Sequence, residues 1–254
     1  MRVYSVEFRP PLRAAERNCA AALVVALCLL ARALPASEPD GYESGAAAMR
    51  GGDYATAWRI LAPLAEEGDA RAQNDVGVMY ARGLGVEQSY SKSAYWITKS
   101  AEQGNRFAQS TLGYMYYRAR GVERDYAAAA LWSRRAAEQG DAPAQSNLGF
   151  LYDRGQGVEQ DYAEAARWYR LAAEQGYPEG QRNLGSMYEH GNGVPRDLLR
   201  AYAWYGVASA GGDEMALELR ARVEKALTPD ELARARDLAR DLHQRYPAPG
   251  QNAE

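Results

Sequence analysis

The hydrophobic pattern of the chain repeats at a fixed interval, and one copy of it spans residues 141–176. In the first half of this copy, four positions share the spacing i, i+3, i+4 and i+7, namely Gln145, Leu148, Gly149 and Tyr152. Because an α-helix has about 3.6 residues per turn, this spacing places them on one stripe and predicts a helix. In the second half, one large ring and several small residues share the face of a second helix, namely Tyr162, Ala165, Trp168, Ala172 and Ala173. Each copy is therefore predicted to be a pair of helices.

The pattern recurs in register on both sides of this copy. The glycines that close the second helix are Gly68, Gly104, Gly140, Gly176 and Gly212, so each step is 36 residues (104 minus 68, and likewise for the others). A fixed period of this length is typical of a solenoid, in which each unit buries its apolar face against the next. The chain is therefore predicted to be an all-α solenoid.

Turn and capping residues recur at matching positions. Glycines suited to a left-handed helix end stand at Gly83, Gly155 and Gly191, but the second copy has Ala119 there. A strained or irregular loop is expected at Ala119, because a side chain disfavours that conformation.

Aspartates precede the second helix of three copies as N-caps, at Asp125, Asp161 and Asp197. Asp161 is also expected to form a capping box with Glu164.

Two further columns predict tight packing. A glycine inside the first helix recurs at Gly77, Gly113, Gly149 and Gly185. Because glycine disfavours a helix interior, this column indicates that a neighbouring helix approaches the bare backbone. The five tryptophans all belong to second helices, at Trp58, Trp96, Trp132, Trp168 and Trp204. They step along the chain instead of converging, so core packing is predicted for them.

The pattern LGxxYxxGxGVxxDYxxAxxWxxxAAEQGxxxAQ, read over Leu148–Gln181 with Gly180 for the penultimate alanine, resembles the Sel1-like repeat, a relative of the tetratricopeptide repeat with a longer loop between its helices. The resemblance extends over residues 69–212 as four repeats and implies a right-handed αα-solenoid. Departures from the pattern are Ser89 for aspartate, Ala119 for glycine and Leu198 for tyrosine.

The two ends differ from the repeats. Residues 1–36 contain Arg13 and Arg17 before the apolar run Cys19–Ala31, which is shorter than the roughly 20 residues of a membrane span and predicts a cleavable signal peptide. An uncleaved leader that anchors the protein is the alternative. Residues 37–68 are predicted to form an N-terminal capping helix pair and residues 213–246 C-terminal capping helices, the last of them starting at Thr228. Residues 247–254 are predicted to be a disordered tail.

Charge and cysteine content indicate where the protein is located and which class of partner it does not bind. Both cysteines, Cys19 and Cys28, lie in the predicted leader, so the processed chain would have no disulfide. The leader holds five Lys or Arg and two Asp or Glu, which leaves 25 basic and 31 acidic residues in the remainder. This mild acidity argues against nucleic acid as the partner. A periplasmic or secreted protein without a stable membrane span after cleavage is expected.

A search for chemistry along the chain gives little. No metal-binding, P-loop or nucleophile-elbow motif is present, so neither a catalytic residue nor a metal or other cofactor is predicted. Ser89 and Lys92 match the SxxK signature of penicillin-binding enzymes, but the companion SDN and KTG motifs are missing. Some cysteine-rich Sel1-like proteins bind penicillin, and their paired cysteines are missing as well.

A second stripe on the first helix supplies a candidate binding face. Phe107, Ser110, Tyr114 and Tyr117 cluster about 130° from the core stripe. The resemblance to paired-helix solenoids implies that this face lines a concave surface. Equivalent or adjacent positions in later repeats complete the predicted partner-binding set: Asn147, Phe150, Arg182 and Asn183. Packing of Phe107 and Phe150 against adjacent helices is the alternative.

Two functions are consistent with these features. The favoured one is a non-catalytic scaffold or regulator in the bacterial envelope that holds a protein or peptide partner of unknown identity in a concave groove. The alternative is an envelope hydrolase or a binder of cell-wall fragments, similar to a β-lactamase, built on the same solenoid. An extended groove would favour the scaffold. Convergent polar residues with shifted pKa values in one pocket would favour the enzyme.

Overall fold

The computed structural model describes residues 41–247, which form twelve α-helices and no strand. The predicted signal peptide at 1–36 lies outside this range, as does the predicted tail beyond residue 247. The helices are α1 Gly41–Arg50, α2 Tyr54–Glu67, α3 Ala70–Arg82, α4 Tyr90–Glu102, α5 Arg106–Arg118, α6 Tyr126–Glu138, α7 Ala142–Arg154, α8 Tyr162–Glu174, α9 Pro178–His190, α10 Leu198–Ala210, α11 Glu214–Glu224 and α12 Pro229–Arg245.

Within residues 41–247, consecutive helices from α1 to α11 pack against one another, and α12 packs on α10, as expected for an αα-solenoid. The odd-numbered helices are called A helices and the even-numbered ones B helices. Helices α3–α10 form repeats 1 to 4, and each of these eight helices has 13 residues. A helices of successive repeats also contact each other, as α5 does α7 and α7 does α9. The prediction of a solenoid of paired helices is confirmed.

The column of helical glycines marks where each B helix crosses its A helix. A Cβ atom at Gly149 would lie 2.8 Å from Cδ1 of Tyr169, and one at Gly113 would lie 2.5 Å from Oγ of Ser133. Both distances are too short for a real contact, so only glycine fits. The predicted close approach is confirmed.

A ladder of buried glutamines links the repeats, and the sequence pattern did not predict it. Gln145 on α7 donates to the carbonyl of Ala137 at 3.2 Å and accepts from Gln175 at 2.7 Å. The pairs Gln73 with Gln103 and Gln109 with Gln139 repeat this bond at 2.8 and 2.7 Å. Each glutamine thus satisfies a backbone carbonyl in the core and binds the next B helix.

The tryptophan prediction is also confirmed. Trp168 and Trp204 are buried, and the other three are partly buried against successive core clusters. At the C-terminal end, Trp204 stacks on Tyr246 with ring centroids 5.8 Å apart. This contact attaches the end of α12 to repeat 4.

Most helix ends follow the predicted caps. Asp125, Asp161 and Asp197 accept from backbone N–H groups, and Thr228 with Glu231 forms a capping box at the start of α12. The capping box predicted for Asp161 and Glu164 is wrong in one half. Asp161 accepts from the N–H of Glu164, but the Glu164 carboxylate pairs with Arg167 at 2.9 Å.

Ala119 ends α5 in the left-handed conformation, with φ 54° and ψ 43°. Among residues 41–247 it is the one non-glycine residue with positive φ. The expectation of strain in the loop of repeat 2 is confirmed, since a Cβ atom raises the energy of this conformation.

Candidate functional site

A groove of about 740 Å³ runs across the A helices of repeats 2 to 4. Helices α5, α7 and α9 supply most of its surface, and Met215 and Leu219 of α11 close one end. The regular spacing of the A helices brings equivalent positions of successive repeats side by side. The groove is therefore a composite of the same helix face repeated along the solenoid.

Six of the eight residues predicted to bind a partner line this groove: Tyr114, Tyr117, Asn147, Phe150, Arg182 and Asn183. The other two lie elsewhere. Phe107 is 55% exposed and carries the Arg106 guanidinium 4.6 Å from its ring centroid. The Ser110 hydroxyl donates to Asp141 of the next repeat at 2.8 Å, which gives it a structural role.

The aromatic residues of the groove differ in how firmly they are held. Phe150 contacts Tyr117 edge to face, with centroids 5.7 Å apart, and packs against the core cluster to which α8, α9 and α10 contribute. Tyr114 is 37% exposed and is met by Arg118 and Arg120 only at about 6 Å from its ring. The alternative of packing against adjacent helices therefore describes Phe150 in part, whereas Tyr114 presents an open ring in the groove.

The polar side chains of the groove are also unequal. The guanidinium of Arg182 donates to Asp213 at 2.7 Å, across the junction with α11. The amide of Asn183 reaches Ser146 only at 3.5 Å, a long and weak hydrogen bond. Asn183 can thus exchange this contact for a ligand, while Arg182 is committed to its carboxylate partner.

Two further lining residues are not in the predicted partner-binding set. Tyr169 of α8 is 2% exposed and lies beside the groove, where burial raises the pKa of its hydroxyl. Asp153 of α7 faces the same region, and desolvation raises the pKa of its carboxyl despite the opposing charges of Arg154 and His190. Arg154 reaches Asp153 only at 3.6 Å. A partly desolvated carboxylate and a buried hydroxyl therefore stand together at one wall.

In repeat 4 the equivalent carboxylate and hydroxyl, those of Glu189 and Tyr205, are bonded to partners within the protein. The Tyr205 hydroxyl donates to Glu189 at 2.7 Å, and Arg222 of α11 binds both oxygens of that carboxylate at 2.7 and 2.8 Å. Burial would raise the pKa of Glu189, but the hydrogen bonds from Arg222 and Tyr205 outweigh it and hold the pKa below its ordinary value. The same positions are thus occupied by a full set of partners at one junction.

The residues tied to the enzymatic alternative have other contacts. Ser89 caps α4 by accepting from the N–H of Lys92 at 3.3 Å, and the Lys92 ammonium lies 5.4 Å from the ring centroid of Tyr80. In the described part of the chain, His, Cys, Asp and Glu form no group of three or more that could hold a metal ion. No helix within residues 41–247 is both long and apolar enough to span a bilayer.

Comparison with known proteins places this geometry in a family. The model of the Sel1 repeat matches residues 70–105, 107–141, 142–177 and 178–213. A crystal structure of a Sel1 repeat protein from Oxalobacter formigenes is 32% identical, with a TM-score of 0.71 over 80% of this chain and 83% of that one. No match was found among curated proteins.

Two other solved structures are more distant. The protective antigen c5321 of uropathogenic Escherichia coli strains, which displays an SLR fold, is 26% identical with a TM-score of 0.47, over 81% of this chain and 68% of that one. The immunity protein Pa5087 from Pseudomonas aeruginosa is 23% identical with a TM-score of 0.48, over 85% of this chain and 84% of that one.

The solenoid of Sel1 repeats is typical of protein–protein interaction scaffolds that are not catalysts. With four matched repeats and the same fold as the Oxalobacter protein, the chain belongs to the Sel1 repeat family.

Proposed function

We propose that this protein is a non-catalytic scaffold of the bacterial envelope, which holds an extended segment of a partner protein in the groove across repeats 2 to 4. The observation that supports this most is the shape of the site. It is a groove about 740 Å³ in volume that crosses three A helices, with the exposed ring of Tyr114 and the partly packed Phe150 beside amide side chains. Such a surface suits an apolar anchor and oriented hydrogen bonds to a peptide backbone.

The groove offers both kinds of contact within reach of one segment. Tyr114 and the edge of Phe150 supply apolar area, and Asn147 and Asn183 stand on the next two A helices. Aromatic residues at interfaces bury much area at little cost in side-chain entropy. The location in the envelope is supported by the signal-like leader at 1–36.

Partner capture with groove variants tests the proposal. The partner is crosslinked in intact cells, and the captured protein is identified from the envelope fraction. Tyr114→Ala should lower capture while the melting temperature stays nearly unchanged, because its ring is exposed. Phe150→Ala should lower capture too, but should also cost about 2 kcal/mol of stability, since its ring packs on Tyr117 and the core.

Tyr95→Ala is the matched control. Tyr95 is 54% exposed on α4, a B helix outside the groove, so its loss should leave capture as in the unaltered protein. If Tyr114→Ala captures as much partner as Tyr95→Ala, the partner binds another face and the proposed site is wrong.

A further inference from the structure

We propose that the groove accepts a cationic side chain, an arginine or lysine of the bound segment, between Asp153 and Tyr169. The inference rests on the proposed function and adds the chemistry of the partner. The supporting observation is a comparison within the protein. A carboxylate, a tyrosine and an arginine meet where repeat 4 packs on α11, and the equivalent positions one and two repeats earlier hold different residues.

At the junction of repeat 4 with α11, the protein fills this position with its own side chain. Glu189 lies between the Tyr205 hydroxyl and the Arg222 guanidinium, which reaches it from a residue 33 positions later (222 minus 189). The guanidinium donates through Nε to Oε1 at 3.1 Å and through Nη2 to Oε2 at 2.8 Å. Two parallel donors on one carboxylate give a strong, oriented contact.

One repeat earlier, the same positions hold a different set. Subtracting the 36-residue period turns Glu189 into Asp153, Tyr205 into Tyr169 and Arg222 into Ser186. All three line the groove. A serine side chain has no cation and is too short to reach across to the carboxylate. Within residues 41–247 the Tyr169 hydroxyl forms no hydrogen bond, although the side chain is 2% exposed.

At the junction between repeats 2 and 3, two aromatic rings fill the equivalent space. Tyr117 and Phe150 occupy the carboxylate and arginine positions, 33 residues apart, and their centroids are 5.7 Å from each other. Of these three consecutive junctions, the one between repeats 3 and 4 alone leaves its space open. The missing element is therefore a side chain that a partner can supply.

The local charges favour a cation over an anion. Asp153 retains an acceptor that Arg154 meets only at 3.6 Å, and the Arg154 side chain is 63% exposed. Arg182, the other guanidinium of this wall, is held by Asp213 at 2.7 Å. Glu179 adds a second carboxylate to the lining, and an exposed His190 lies beside Ser186. An incoming cation would gain a charge-assisted bond to Asp153, with the Tyr169 oxygen as a second acceptor.

Blocked tripeptides with one variable central residue test the proposal in the full chain. The probes are acetyl-glycyl-X-glycinamide with arginine, lysine, citrulline or glutamate as X, titrated against the isotope-labelled protein by amide chemical shifts. Citrulline keeps the shape of arginine and removes its charge. The arginine peptide should bind about tenfold more tightly than the citrulline peptide, with shifts centred on Asp153 and Tyr169.

Variants separate the site from general attraction to an acidic protein. Asp153→Asn should abolish the preference for arginine over citrulline, and Tyr169→Phe should reduce it. Ser186→Arg supplies the cation from within, so it should raise the melting temperature and prevent binding of the arginine peptide. Asp237→Asn removes a carboxylate from the exposed face of α12 and should leave binding unchanged.

Several results would overturn the inference: equal binding of arginine and citrulline peptides, a preference for glutamate, or an intact preference in Asp153→Asn. Asp153→Asn decides the matter even where Ser186→Arg folds poorly, because it changes a groove residue by one atom. Partner capture that needs Tyr114 but not Asp153 would overturn this inference and leave the proposed function in place. Capture that needs neither would contradict both.

Discussion

At the C-terminal end of the solenoid, Glu189 is enclosed by Tyr205 and Arg222, while one repeat earlier Asp153 and Tyr169 face open space in the groove. The backbone supporting the two pairs is the same, since both tyrosines pack on a helical glycine at 2.8 Å from its ideal Cβ position. The difference comes from one methylene in the acidic residue and from the residue 33 positions later. Small changes at fixed positions thus decide whether a junction of this fold is closed or open.

The two carboxylates also differ in electrostatics. Hydrogen bonds from Arg222 and Tyr205 overcome desolvation and lower the pKa of Glu189. Desolvation dominates at Asp153 and raises its pKa. Ionised Glu189 therefore stabilises the fold, whereas ionised Asp153 opposes it. A junction that costs stability without a ligand is a natural place for a ligand to bind.

The largest expected effect comes from removing what the two junctions share. Gly149→Leu should push the Tyr169 ring away and destabilise the protein by about 3 kcal/mol, because even a Cβ atom would lie 2.8 Å from that ring. Gly185→Leu should do the same at Tyr205. Chemical denaturation measures both.

Ala233→Leu, on the exposed face of α12, is the control and should change stability little. If Gly149→Leu is as stable as this control, α8 does not approach α7 as closely as the structure shows.

A smaller loss is expected when only the closed junction is broken. Glu189→Gln should cost about 1 kcal/mol at neutral pH, since Arg222 is half exposed and its ion pair is partly screened. The pKa of Glu189 is lowered in the fold, so its contribution is full above the unfolded pKa of about 4.3 and is lost as pH falls through the folded value. The difference in unfolding free energy between variant and parent should therefore disappear in acid. A difference that stays constant from neutral pH to pH 3 would contradict the ionic origin.

Features that repeat along the chain could be predicted from the sequence, because they depend on short spacings. The helix pairs, the aspartate caps and the glycine column follow from positions a few residues apart in one helix or turn. The same helical arithmetic found six of the residues that line the groove, such as Tyr114 and Asn147. Ala119 could be singled out because glycine occupies its position in the other repeats.

Contacts between different helices were missed, because they join side chains whose separation in space is not encoded by a helical period. Gln145 and Gln175 are 30 positions apart, and Ser110 and Asp141 are 31 apart. The open pair of Asp153 and Tyr169 depends on side-chain lengths in three different helices. A comparison of columns at an offset of 33 residues would have shown the series Tyr117 with Phe150, Asp153 with Ser186 and Glu189 with Arg222. Only a structure tells that this offset is a contact.

The smallest expected effect has the opposite sign and distinguishes the two junctions most sharply. Asp153→Asn should stabilise the free protein by about 0.5 kcal/mol at neutral pH, because it removes a partly desolvated charge and loses only a long contact to the exposed Arg154. The folded pKa of Asp153 is raised, so ionisation above the unfolded pKa of about 3.9 favours the unfolded state. The gain should therefore be present at neutral pH and vanish as pH falls below that value. Denaturation of parent and variant at a series of pH values measures this difference in unfolding free energy. Glu189→Gln, measured in the same way, should give a difference of opposite sign. If Asp153→Asn lowers stability at neutral pH as Glu189→Gln does, Asp153 already has an internal partner and the two junctions are alike.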